Sequence, residues 1–150
     1  MKRFQFKLEA VLSLRKHKEN LVMQEVGVLN AERLRAEEGL DALAREVRSV
    51  EDDLARRMDD GLTGAQLLAV ESYLETLARK QVELASHLDL VNNHLDVKKQ
   101  ELFGCSLERK SMESLRERQE TEFAQEMAEA QRKDDDEIAL VHRAAVNAGR

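Results

Sequence analysis

The side chains best suited to chemistry are few and poorly spaced for it. The histidines are His17, His87, His94 and His142. His87 and His94 share a helical face, but two turns separate them by roughly 10.5 Å, beyond the reach of one zinc ion. No His-x-x-x-His pair occurs. Asp and Glu number 30, yet acid–base work needs a desolvated pocket to move carboxylate pKa values. The phosphate-cradling patterns G-x-x-x-x-G-K-[ST] and G-x-G-x-x-G are absent. Cys105 is the single cysteine. It can form no internal disulfide, and its place on an apolar stripe predicts a small buried hydrophobe rather than a reactive thiol. Asp134-Asp135-Asp136 reads as a solvated face, since a calcium loop needs alternating ligands and a Gly turn. The expectation is a protein with no catalytic residue, metal ligand or cofactor.

The elements that carry these residues explain why. Counting by threes and fours from Leu8 through Leu12, Arg15, Glu19, Val22 and Val26 to Leu54 and Arg57 gives a heptad seam with eleven apolar positions in fifteen. A second count from Leu67 to Cys105 gives ten apolar or Cys in twelve, without a skip. Each is a coiled-coil helix. Pro is absent, so nothing of that kind interrupts a long run. No stretch alternates like a strand. Between the seams, Asp59-Asp60-Gly61 is a helix stop, and Thr63 with Gln66 three residues later matches a capping box. The chain is therefore expected to be all-α: one domain over residues 1–150, a long antiparallel two-helix coiled-coil hairpin with helix one over about 4–58, a turn at 59–64 and helix two over about 65–147. About fifty residues at 1.5 Å each make the first helix roughly 80 Å long.

Folding at residue 61 or 62 pairs residue 4 with about residue 119, so a C-terminal overhang is expected beyond it. The seam thins in the same region: Arg109, Met112, Arg116, Gln119, Phe123, Glu126 and Ala130 hold only three apolar residues in seven. The acidic run at 134–136 could then fray the helix or cap a short last one. The polar seam residues Arg15, Glu19, Arg33, Gln81 and Lys98 fix the register or snorkel past the seam. Gly27 and Gly39 are either tolerated in a helix held by its seam or marks of a close approach.

Composition excludes several classes. Three per cent aromatics, no Trp and 36% charge leave too little bulk for a globular core. No apolar run approaches the roughly twenty residues of a membrane span. Gln5, Lys7 and Glu9 interrupt any apolar stretch after Met1-Lys2-Arg3, so a signal peptide is not expected and the reducing cytoplasm is. A net charge of −6 argues against nucleic acid as the main partner. The charge is uneven. Residues 1–18 hold Lys2, Arg3, Lys7, Arg15, Lys16 and Lys18 against Glu9 alone, while residues 120–137 hold eight acids against Arg132 and Lys133.

Phe4-Gln5-Phe6-Lys7-Leu8-Glu9-Ala10-Val11-Leu12-Ser13-Leu14-Arg15 and Glu19 resemble the opening of the flagellar FliJ family. Leu115-Arg116-Glu117-Arg118-Gln119-Glu120 is similar to that family's C-terminal signature, and Met58-Asp59-Asp60-Gly61 and Tyr73-Leu74-Glu75-Thr76-Leu77 resemble its centre. The resemblance implies the non-enzymatic stalk of the flagellar type III protein export apparatus, at the cytoplasmic face of the inner membrane and peripheral to it only through partners. It implies that the end carrying both termini inserts into a hexameric flagellar export ATPase, that the rod contacts the cytoplasmic domain of the export gate, and that it handles empty export chaperones. Lys2, Arg3, Phe4, Phe6, Lys7, Leu115 and Arg118 are then expected at the ATPase, and Leu43, Tyr73 and Leu77 at the gate. The two Phe residues are expected at the docking tip, contributing little to hairpin stability. A generic coiled-coil scaffold or an injectisome stalk protein is the alternative.

Overall fold

The computed structural model describes residues 2–150. The chain forms α1 (Glu9–Asp60, 52 residues) and α2 (Gly64–Ala148, 85 residues), with no strand among the described residues. Its contacts cluster into two compact units, one of Asn20–Phe103 and one of Met1–Glu19 with Gly104–Arg150.

In the first unit the chain reverses at Gly61–Thr63. Gly61 has φ +95°, the left-handed conformation that ends α1 at little cost only for a residue without Cβ. The capping box expected from the sequence forms: the Thr63 amide donates to Gln66 Oε1 at 3.1 Å, and the Gln66 amide donates to Thr63 Oγ1 at 3.2 Å. α1 buries Val22, Val26 and Ala36, and α2 buries Leu77, Val91 and Leu95, all seam positions. Cross-helix pairs Glu25–Lys98, Glu32–His87 and Glu46–Tyr73 fix the antiparallel register. Gly39 marks a close approach, since a Cβ there would lie 2.8 Å from Leu84 Cδ2. Gly27 faces open space.

In the second unit α1 starts later than the spacing predicted. Residues 4–8 are not helical; the Glu9 amide donates to the Phe6 carbonyl at 3.1 Å and opens the helix there. The cause is burial. Phe6 is 8% exposed, and Phe4 packs on Phe123 with ring centroids 5.8 Å apart, so the segment gains more by turning its aromatics inward than by continuing the helix. Where the sequence led to two Phe residues free at a tip, Phe6 is buried and Phe4 is half-buried against Phe123.

The thinning of the seam after Cys105 also has a different meaning here. Positions 109, 112, 116, 119 and 123 remain the less exposed face of α2 in unbroken heptad register. Arg109 Nε donates to Glu19 Oε2 at 2.6 Å, Arg116 Nε to Glu9 Oε2 at 3.1 Å, and Arg15 pairs with Glu108. Ion pairs replace apolar knobs. Arg33 differs, since it bonds Glu37 on its own helix. The acidic run does not fray α2 or start a new helix. Gln131 Nε2 donates to Asp135 Oδ1 at 3.0 Å across one turn, and the helix continues to Ala148. Residues 128–150 are all exposed.

Candidate functional site

The grooves on the helices are open to solvent. Among the described residues no group of three metal-ligating side chains forms, and no helix is long and apolar enough to cross a membrane. His87 bonds Glu32 at 3.1 Å, and Cys105 is buried at 4% exposure as a seam residue. What remains are outward surfaces, which the two helices position by holding their seam inward.

At the terminal segment, Lys2, Arg3 and Lys7 are exposed, and they take part in no ion pair among the described residues. The buried Phe6 and the Phe4–Phe123 contact anchor the backbone that carries them. On α2, Leu115 is half-buried and Arg118 exposed, and Arg118 also makes no ion pair. In the same unit Glu19, Arg109 and Glu113 form a connected network. The Arg109 guanidinium holds the Glu19 carboxyl below its ordinary 4.5 against the opposing effect of burial, and Glu19 in turn raises Arg109.

Near the turn, the sequence grouped Leu43, Tyr73 and Leu77. Leu77 is buried at 3% and belongs to the seam, and Leu43 is half-buried. Tyr73 alone is open to solvent, at 44%. Its hydroxyl donates to Glu46 Oε1 at 3.1 Å, and the phenol's pKa is raised, because ionising it would lose that hydrogen bond and set two negative charges together.

A third surface was not among the residues expected from the sequence. Leu21, Val28 and Leu29 of α1 and Val97 of α2 wall an apolar groove of about 670 Å³, with His94 and Lys98 at its edge. The signal was present as seven-residue spacing of apolar residues off the seam, Leu14, Leu21 and Val28 on one helix and Leu90 and Val97 on the other. It is hard to notice beside two stronger seams of the same period.

These features define an all-α coiled-coil protein of two long helices. The family model described as Flagellar FliJ protein matches residues 4–147, and the chain belongs to that family. It is accordingly a non-catalytic component of flagellar biogenesis and protein export. Comparison with curated proteins and with solved structures found no match to the chain.

Proposed function

We propose that the chain is the stalk of the flagellar type III export apparatus, coupling a hexameric export ATPase to the export gate and handling empty export chaperones. The family match over 4–147 carries this reading. In it, the end bearing both termini enters the ATPase ring. Lys2, Arg3, Lys7 and Arg118 meet acidic groups of the ring, a role that suits exposed cations without an internal partner. Phe4, Phe6 and Leu115 hold that surface in shape from within the unit. The exposed residues 128–150 serve as the overhang, an unpaired length of helix available to the ring subunits.

The gate contact passes through the ring of Tyr73. Leu43 and Leu77 act by positioning it, because Leu77 itself is sealed in the seam. Localisation at the cytoplasmic face of the inner membrane follows from these partners.

The test is binding to the cognate ATPase by full-length chains carrying Lys2→Glu, Arg3→Glu and Lys7→Glu together. Weaker binding and lower ATPase stimulation at low ionic strength, with an unchanged melting curve, support the reading. Wild-type stimulation by this variant overturns the docking assignment.

A further inference from the structure

Charge normally collects at the outward positions of a coiled coil. In the Asn20–Phe103 unit one side departs from this. Nine outward heptad positions, spread over 21–31 and 86–100, are exposed and hold no charged residue, in a chain that is 36% charged. Leu21 and Val28 stand one heptad apart on α1, and Leu90 and Val97 one heptad apart on α2, at 47%, 64%, 60% and 63% exposure. The positions between them are neutral, as at Gln24 and Asn93. The two charges that line the groove, Glu25 and Lys98, pair with each other, Lys98 Nζ lying 2.6 Å from Glu25 Oε2 and 3.1 Å from Glu101 Oε2. Depletion of charge around an apolar centre is what distinguishes the middle of a protein interface.

From this face we infer that the groove walled by Leu21, Val28 and Val97, with the exposed Leu90 one heptad from Val97, seats one amphipathic helix of a partner protein, which presents an uncharged apolar stripe of about two heptads. The seven-residue repeat on both walls is the spacing at which a third helix sets its knobs between two others. The size of the face selects a single helix over a second copy of the chain. Nine side chains fall well short of the roughly 20–30 residues a side that a stable dimer buries, whereas one helix sunk in the groove touches both walls. A nucleic acid or an anionic membrane would need a basic footprint, which the face lacks.

The probe is a fluorescent synthetic amphipathic peptide of about 21 residues with Leu at its a and d positions and neutral residues beside them, titrated into the full-length chain. Saturable micromolar binding is expected, weakened by about tenfold or more in Val28→Glu and in Val97→Glu. Val82→Glu, at a 66% exposed position outside the groove, should bind the peptide like wild type. Circular dichroism should be unchanged in all three, since each site is exposed. Absence of saturable binding, or equal binding by all chains, overturns the inference. It is also overturned if sedimentation shows a wild-type dimer that Val97→Glu dissociates, which would assign the face to a second copy. Binding to phosphatidylserine vesicles that the groove variants lose would likewise overturn it in favour of a membrane. The groove variants should still stimulate the ATPase, so failure here and failure of the stalk reading are separable.

Discussion

Glu19 occupies a seam position where an apolar knob is the usual choice, and its carboxylate is acceptable there only because Arg109 reaches it at 2.6 Å. The consequence is pH-dependent. The folded pKa lies below the unfolded 4.5, so the pair contributes its full stability above about that pH and loses it as pH falls through the lowered value. Thermal melts of wild type and Glu19→Gln should therefore differ most near about pH 6, and the gap should shrink toward about pH 3. A gap that widens on acidification would contradict the pairing. Phe6 belongs to the same unit but acts through burial alone. Phe6→Ser should lower unfolding free energy by about 2 kcal/mol, read as a reduced urea midpoint at unchanged slope. Lys2 and Lys7, exposed on the same segment, should tolerate substitution with no change in that midpoint.

The helices are stabilised mainly by their seams, so backbone propensity shows where the seam is not involved. Gly27 and Gly39 offer a matched comparison on α1. Ala at Gly27 meets open space and should raise stability by about 1 kcal/mol through helix propensity. Ala at Gly39 meets Leu84 Cδ2 at 2.8 Å, so the same gain is offset by displacement of that side chain. Chemical denaturation of the two variants should show a clear increase for Gly27→Ala and a markedly smaller one for Gly39→Ala. Equal gains would mean that Leu84 yields without cost.

Burial varies along α2, and its dynamics should follow that variation. Amide hydrogen exchange should be slow over 84–95, where Val91 and Leu95 are buried, and fast over 128–150, where every residue is exposed. Slow exchange at 128–150 in the isolated chain would mean that this length is covered by something in solution. Charge acts at the same scale. If the terminal cations steer docking, the Lys2, Arg3 and Lys7 reversal should reduce the association rate with the export ATPase mainly at low ionic strength, with little effect on dissociation. Stopped-flow mixing across a salt series measures this directly.

The heptad count by itself determined the two helices, the inward seam and the location of the turn, because these depend on local periodicity and on the chemistry of Gly61, Thr63 and Gln66. The capping box was legible to the atom, since its partners lie three residues apart. What lies far apart in sequence was decided only by the tertiary structure. Arg109 and Arg116 look like gaps in a seam until Glu19 and Glu9 come opposite them. Phe4 and Phe6 look like a helical tip until Phe123 and the rest of the terminal unit offer burial that the helix geometry could not supply. The apolar groove needed both helices in register, since Leu21 and Val28 of α1 meet Val97 of α2 only when the two pack side by side. Local pattern sets which face of each helix turns inward, and only the packing of distant segments sets what the outer faces jointly present.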